Sequence, residues 1–444
     1  MLREARTKFG HVRGVAGNDP RVTVYKGIPY AMPPVGDLRW RAPVYGRTWE
    51  GILDAVRFSP ISIQDQPGIG DNVYIKEWHV DKDVPMDEDC LYLNIWTPAN
   101  KTDEKLPVLI WYFGGAFQWG YPNEMEFNGE RLARRGIIVV SVNYRLGAIG
   151  FMAHKDLTAE SPSAPTNFGL LDQQAGLKWV YENIEAFGGD PENITIAGQS
   201  AGGGSVLNQI CNKDNAHMVK GAVIFSGMIR FDGDAILTPA ALDKAEKRGD
   251  DFLKFMGVSS IEEARKLDAL FIRDKYDKFA RDHPRLAPCL DGVNYKDDAY
   301  HMFIRGDYAD IPVLTGYTSD EFNIEGVNRV KSSVEEAVSK LMKSGDKRKV
   351  YVYEFCPPIP GPDDPGVFHS VDLWFWFETL GMCWRPFSGK HFELAKKMSN
   401  AFASFVKYHD PACPDPSDKE NVPQEMIPWN AANEQDLNSV TLTL

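Results

Sequence analysis

The sequence predicts an α/β fold in which helices cover both faces of a mostly parallel central sheet. Short apolar runs rich in β-branched residues recur along the chain, and longer amphipathic stretches separate them. Strands that alternate with helices in this way form parallel sheets. Runs such as Ile137–Asn143 are apolar at nearly every position, which is typical of strands buried on both faces. The predicted strands are Val22–Lys26, Leu91–Trp96, Val108–Phe113, Ile137–Asn143, Ile194–Ala197, Ala222–Phe225, Val313–Gly316 and Val350–Phe355.

The other elements follow from periodicity and turn chemistry. Leu170–Ala186, Ala240–Met256 and Ser332–Ser344 are predicted to be helices. Pro357–Gly366 is predicted to be a loop, because glycine and proline favour turns. The tail from about 410 to 444 is rich in Pro, Asn and Asp, and we expect an irregular surface segment there. No repeat or low-complexity linker divides the chain, so residues 1–444 are predicted to form a single domain with insertions.

Composition and charge narrow the function classes. The 444 residues include 49 Lys and Arg against 62 Asp and Glu, a formal net charge of −13, which argues against a nucleic-acid partner. No run approaches the ~20 apolar residues that span a membrane, and the N-terminus lacks the apolar segment of a secretory signal, so we expect a cytoplasmic protein without membrane contact. The six cysteines are scattered and show no CxxC spacing, so neither a metal site nor a cofactor is predicted.

The strongest chemical signal is the G-x-S-x-G sequence at Gly198–Gly202. The strand run Ile194–Ala197 precedes it, and a helical stretch begins at Ala201. A serine on such a tight strand-to-helix turn stands above the sheet edge, beside the N–H groups of a helix N-terminus. Ser200 is therefore the candidate nucleophile.

A second strand run ends in a loop that suits an oxyanion. Val108–Phe113 is followed by Gly114, Gly115 and Ala116, which leave backbone N–H groups accessible to a reacting carbonyl. The pattern matches the HGGG-type loop of esterases, with Phe113 in place of the leading histidine. We expect the oxyanion donors to be the N–H groups of Gly115, Ala116 and Ala201.

Together these features resemble the type-B carboxylesterase family, whose members include cholinesterases, fungal lipases and bacterial para-nitrobenzyl esterases. The resemblance covers residues 10 to about 410 and implies the α/β-hydrolase fold and ester hydrolysis on small-molecule esters. The segments that carry it, besides the serine motif, are Gly27–Trp40, Glu88–Asn94, Ser141–Phe151 and Asn167–Asp190.

The resemblance also indicates the acid of a catalytic triad. In the family this acid is a glutamate in a G-x-x-x-D-E segment, and here Gly316–Glu321 has that pattern at the end of a predicted strand. Catalytic residues of α/β folds gather at the carboxyl ends of strands. Glu321 is the candidate acid, and the neighbouring Asp320 is the competing one.

The base is expected to be His369, which has the family's setting of a glycine three residues before it and an acidic residue, Asp372, three residues after it. The other eight histidines lack this setting and are interpreted as structural. Ser226 resembles a family serine that supports the triad by hydrogen bonding, although a turn at a strand end would explain it equally well.

Three departures from the family pattern carry information. Cys90 resembles a half-cystine, but Ser62 stands where its partner would be, so that disulfide cannot form. Gln199 replaces the glutamate that cholinesterases carry before the nucleophile, which makes a cationic choline ester a poorer candidate substrate. The interval from Glu321 to His369 is short, so we expect a reduced cap region and a more open site.

The aromatic side chains near the oxyanion loop suggest a substrate class. Phe117 and Trp119 are candidates for the pocket wall, and such a pocket suits aromatic esters or small to medium acyl esters, including phenolic-acid esters. A lipase acting on longer acylglycerols is the nearest alternative. A non-catalytic adhesion module, like the neuroligins of this family, is a remote one because the triad candidates are all present.

Overall fold

The computed structural model describes residues 1–230, 238–414 and 426–444. Its centre is a ten-stranded sheet. The strands, in chain order, are β1 Val15–Ala16, β2 Thr23–Pro29, β3 Tyr92–Thr97, β4 Leu106–Tyr112, β5 Ile138–Val142, β6 Gly189–Gln199, β7 Gly221–Phe225, β8 Val313–Thr318, β9 Val350–Phe355 and β10 Val440–Leu442. All eight strand runs predicted from the sequence are present as central strands.

The strand order in the sheet is β1-β2-β3-β5-β4-β6-β7-β8-β9-β10. Neighbours from β5 to β10 pair in parallel, and the three pairs among β1, β2, β3 and β5 are antiparallel. Because parallel strands share one direction, the carboxyl ends of β4, β6, β8 and β9 open onto the same edge of the sheet. The serine motif, the oxyanion loop and the segments of Glu321 and His369 all follow these strands.

Thirteen α-helices lie in the described part of the chain. They are α1 Val73–Glu77, α2 Glu130–Ala133, α3 Gly147–Phe151, α4 Lys155–Glu160, α5 Phe168–Asn183, α6 Ala201–Cys211, α7 Leu242–Met256, α8 Ile261–Arg265, α9 Ala269–Phe279, α10 Ala299–Ile304, α11 Arg329–Lys343, α12 Leu373–Trp376 and α13 Gly389–Tyr408. None of these is long and apolar enough to cross a bilayer. A small sheet of Glu4–Arg6, His11–Arg13 and Ile52–Asp54 and two short pairs of strands complete the fold: Ala240–Ala241 with Cys289–Leu290, and Asn323–Ile324 with Val327–Asn328.

Two apolar cores cover the two faces of the sheet. Successive side chains of a strand point to opposite faces, and on β4 Trp111 joins the core beneath α13 whereas Ile110 joins the core beneath α5, α6 and α11. The near-continuous apolar runs of the sequence are thus explained by burial on both sides.

The C-terminal tail differs in part from the irregular surface segment that the sequence predicts. Val440–Leu442 forms the edge strand β10, which pairs with β9 from Tyr353 to Phe355. Trp429 is buried, and its indole N–H donates to Val352 O at 3.0 Å. The prediction failed here because pairing with a strand distant in sequence leaves no local signal. Residues 415–425 of the predicted segment lie outside the described residues.

Candidate active site

Ser200 stands on a strained turn between β6 and α6. Its backbone has φ 55° and ψ −124°, a conformation that is uncommon for a residue with a side chain. The Ser200 N–H donates to Phe225 O at 2.9 Å, which ties the turn to the end of β7. The flanking glycines are required sterically, because a Cβ on Gly198 or Gly202 would overlap backbone atoms. Ser200 therefore stands at the carboxyl end of β6, where it lines a cavity.

Of the three residues whose N–H groups are expected to bind an oxyanion, Ala116 and Ala201 line the same cavity as Ser200. No hydrogen bond between described residues uses the N–H of Gly115 or Ala116. Ala201 is the first residue of α6, so its N–H has no acceptor within the helix. Gly115 has φ 103°, and a Cβ there would overlap Trp119 O, which explains the glycine.

Glu321 and His369 form a buried pair at the same edge. His369 Nδ1 hydrogen bonds with Glu321 Oε2, and the residues are 7% and 1% exposed. The other carboxylate oxygen, Oε1, accepts from Ser226 Oγ and from the Thr318 N–H, both at 2.8 Å. The carboxylate is therefore fixed on both sides, with one oxygen left for the imidazole.

Asp320, the competing candidate for the acid, makes a different contact. Its Oδ2 accepts from the Val367 N–H at 2.8 Å and so anchors the loop that carries His369. Asp372, which completes the family setting of the histidine, accepts from Tyr353 Oη at 2.8 Å and Trp376 Nε1 at 3.2 Å. Burial raises the pKa of Asp372 to about 6.

Gln199 makes a contact with His369 that no local sequence pattern predicts. Its side-chain Nε2 lies 3.2 Å from His369 Nε2, the nitrogen that a triad base turns toward its serine. Within the described part of the chain, no hydrogen bond joins Ser200 Oγ to His369. The Phe322 ring covers the imidazole edge-on, with centroids 4.5 Å apart.

The two aromatic candidates for the pocket wall separate in space. Phe117 lines a cavity that opens at Ser200 and packs against Phe151, with ring centroids 5.3 Å apart. Trp119 is not among the residues that line this cavity. Its indole N–H donates to Asp65 Oδ2 at 3.0 Å, and Arg285 covers its ring at 4.4 Å.

The described residues contain no group of three or more His, Cys, Asp or Glu side chains that could hold a metal ion. All six cysteines are free, and Ser62 lies beside Cys90. Burial raises the pKa of the Cys90 thiol, and a hydrogen bond with the Ser62 hydroxyl opposes that shift.

The sheet order, the serine turn and the strand-end loops define an α/β-hydrolase fold. Comparison with known proteins identifies the family within this fold. The sequence model of the carboxylesterase family matches residues 2–344, and the chain belongs to that family. The match includes Ser200 and Glu321 and ends before His369.

Individual relatives agree with the family. The chain is 36% identical over 320 residues to a fumonisin B1 esterase of Sphingopyxis macrogoltabida, covering 71% of this chain and 55% of that protein. It is 35% identical over 328 residues to a para-nitrobenzyl esterase of Bacillus subtilis, covering 71% and 62%. The aligned region thus spans less than two thirds of the length of either relative.

Solved structures cover more of the fold. A PNB esterase structure superposes with a TM-score of 0.83 at 27% identity, over 100% of this chain and 96% of that one. A carboxylesterase of Geobacillus stearothermophilus superposes with a TM-score of 0.81 at 26% identity, over 99% and 96%.

Proposed function

We propose that this protein is a serine carboxylic-ester hydrolase that works through an acyl-enzyme, with Ser200 as nucleophile, His369 as base and Glu321 as acid. The observation that carries the proposal is the buried Glu321–His369 pair at the sheet edge where Ser200 stands on a strained turn. The family membership and the esterase names of the relatives support the same chemistry.

The reaction begins with proton transfer. A serine hydroxyl is a weak nucleophile and needs a base, so His369 Nε2 takes the proton of Ser200 as its oxygen attacks the ester carbonyl. Nε2 must first exchange its contact with Gln199 for the serine hydroxyl, and hydrogen bonds of this kind often tighten only when substrate is bound. Glu321 holds the proton on Nδ1 and stabilises the imidazolium that forms.

The tetrahedral intermediate places negative charge on the former carbonyl oxygen. The free N–H groups of Gly115, Ala116 and Ala201 stabilise this charge without rearrangement, which is the largest single contribution in many acyl-transfer enzymes. The imidazolium then donates its proton to the leaving alcohol. Water attacks the acyl-enzyme by the same route in reverse and releases the acid.

The test is Ser200→Ala with para-nitrophenyl acetate as substrate. Loss of the covalent route should lower kcat on the order of 10⁴-fold or more while the protein stays folded. A fluorophosphonate probe should modify the wild-type protein at Ser200, as located by mass spectrometry, and leave the variant unmodified. Ser332→Ala, on the solvent side of α11, is the matched control and should retain both properties. Wild-type turnover in folded Ser200→Ala would refute the mechanism.

Substrate preference is also part of the proposal. We expect small to medium or aromatic esters in preference to the long-chain acylglycerols of a lipase. A lipase would show a sharp rise in activity above the solubility limit of its substrate, whereas this protein should follow simple saturation below that limit.

A further inference from the structure

A buried ion pair lies against the loop that carries His369. This loop, residues 356–372, connects β9 to α12 and is called the base loop here. Arg385 Nε donates to Glu77 Oε1 at 2.7 Å, and neither side chain is exposed to solvent. Glu77 is the last residue of α1 and Arg385 lies between α12 and α13, so the pair joins segments 308 positions apart. Neither side chain has a part in the proposed reaction, so the pair needs another explanation.

The Glu77 carboxylate is surrounded by donors. Oε1 also accepts from Trp384 Nε1 at 3.1 Å, and Oε2 accepts from Trp374 Nε1 at 3.3 Å and from the Cys383 thiol at 3.4 Å. A buried ion pair adds little net stability, because the lost hydration of both charges offsets their attraction. Its hydrogen bonds have defined directions, however, and such a pair can fix one conformation of the segments that it joins.

The other side of the Arg385 guanidinium holds the base loop. Nη1 and Nη2 donate to the two carboxylate oxygens of Asp363 at 2.9 and 3.0 Å, and Nη1 also donates to Pro360 O at 3.1 Å. A Cβ on Gly361 would lie 2.5 Å from Nη1, so a larger residue there would displace the guanidinium. The hydrogen bonds from Arg385 lower the pKa of Asp363, which keeps this carboxylate ionised.

The contacts of Arg385 extend to the residue before the base. The guanidinium carbon lies 5.4 Å from the centroid of the Phe368 ring, and Trp78 stacks on the same ring with centroids 6.4 Å apart. The preceding residue, Val367, is held by Asp320. Both residues that lead into the histidine are therefore fixed, one from β8 and the other from Arg385 and the end of α1.

We propose that Glu77, Arg385 and Asp363 form a clamp that positions His369 for proton transfer. The three are positioning residues, because they act through the base loop and not on the substrate. The inference rests on the proposed function and adds the residues that set the position of its base. A misplacement of about 1 Å can lower a rate about 10²-fold, so a loosened clamp should lower turnover while the ester still binds.

Asp363→Asn opens the clamp without leaving a buried charge unpaired, because the pair of Arg385 and Glu77 remains. The new amide turns an N–H toward one guanidinium nitrogen, so one hydrogen bond and the charge are lost. We expect kcat for para-nitrophenyl acetate to fall about tenfold with KM unchanged. Asp364→Asn, the same change at the next residue, which is exposed, is the matched control and should keep the wild-type kcat.

A second ester separates a displaced base from a weakened fold. Para-nitrophenolate leaves as an anion, whereas the alcohol of ethyl acetate must take a proton from the imidazolium as it leaves. Acylation by ethyl acetate therefore needs the base in position twice. In Asp363→Asn its kcat/KM should fall at least about fivefold more than that of para-nitrophenyl acetate. A clamp that served stability alone would lower the melting temperature and leave the ratio of the two kcat/KM values unchanged, which would overturn the proposal.

Arg385→Lys tests whether the members of the clamp act together. An ammonium keeps a positive charge beside Glu77 but cannot bind both oxygens of Asp363 as the planar guanidinium does. We expect kcat to fall about tenfold here too. The double variant Arg385→Lys, Asp363→Asn should lose little more than either single variant, because both changes break the same contact. Losses that multiply in the double variant would contradict the clamp.

The clamp and the proposed function fail separately. Absence of ester hydrolysis that depends on Ser200 would refute the proposed function, whereas a wild-type kcat and ester ratio in Asp363→Asn would refute only the clamp. If Arg385→Lys does not fold, Asp363→Asn decides the matter, because the Asp363 side chain is 31% exposed and its replacement leaves the buried pair intact.

Discussion

Replacing Glu321 with glutamine should disable the base by reversing the tautomer of its imidazole. The Thr318 N–H donates to Oε1 and cannot accept, so the new amide must place its oxygen there. Its NH₂ group then faces His369 Nδ1, where Oε2 stood. That nitrogen must lose its proton to accept, and the proton moves to Nε2. The base then points an N–H at Ser200 and cannot take the hydroxyl proton.

The size of the loss follows from two contributions. A hydrogen bond to a charged group is worth about 1.5–3 kcal/mol. Each 1.36 kcal/mol added to the activation free energy lowers the rate tenfold. Loss of the hydrogen bond between the carboxylate and the imidazolium therefore lowers kcat by up to about 10²-fold. Tautomer reversal adds to this, and the corresponding change in a worked serine triad reaches about 10⁴-fold. We therefore expect Glu321→Gln to lower kcat by about 10²- to 10⁴-fold.

The assay is steady-state hydrolysis of para-nitrophenyl acetate, with thermal unfolding to establish that each variant is folded. Asp320→Asn is the matched control, because it makes the same acid-to-amide change one residue away. The amide oxygen can still accept from the Val367 N–H, so the loss should stay within several-fold. If Asp320→Asn were crippling and Glu321→Gln nearly silent in folded proteins, the choice of acid would be wrong, while the serine mechanism could stand.

Three further changes test other parts of the structure. Ser226→Ala removes one of the two hydrogen bonds to Oε1 of the triad acid and should lower kcat about tenfold with little change in KM. The carboxyl of Asp277 has its pKa raised from 3.8 to about 7 by burial and by its hydrogen bond with Asp65, so the folded state loses stability as pH rises from about 4 to 7. Asp277→Asn removes that loss. The melting temperature of the variant minus that of the wild type should therefore increase from pH 5 to pH 8, and a difference that stays constant over this range would contradict the prediction. Ser62→Cys should form a disulfide with Cys90, which would be detected as a loss of free thiols. Because the disulfide closes a loop of about 28 residues, the free energy of unfolding should rise by about 3–4 kcal/mol, and a reductant should abolish this gain.

The central strands and the serine turn were predictable because their signals are local. A buried strand such as Ile138–Val142 is apolar at almost every position, and the turn at Ser200 requires small neighbours within a few residues. The short patterns around Glu321 and His369 carry no chemical signal apart from their likeness to a family. Their assignment came from resemblance to a family, and their pairing depends on loops that follow two different strands.

What the sequence could not predict depends on contacts between distant segments. Strand β10 forms only because β9 offers a free edge. Trp119 has the aromatic ring of a pocket residue, but Asp65, far away in sequence, holds its indole N–H. The contact between Gln199 and His369 joins residues 170 positions apart.

The contact with His369 means that Gln199 does more than leave out the negative charge that a glutamate would carry at this position. The side chain is 3% exposed, and its amide lies 3.2 Å from the nitrogen of His369 that must accept the serine proton. Gln199→Glu would place a carboxylate beside the imidazole and favour the charged form. Since the base works only when neutral, the midpoint of the acid limb of kcat/KM should move to higher pH, by at least about one unit for an added attraction of 1.36 kcal/mol. Gln199→Leu, which is neutral and of similar size, should leave the midpoint in place. An unmoved midpoint in a folded, active Gln199→Glu protein would contradict the contact, because a charge at that distance in a buried site cannot be without effect on the proton it faces.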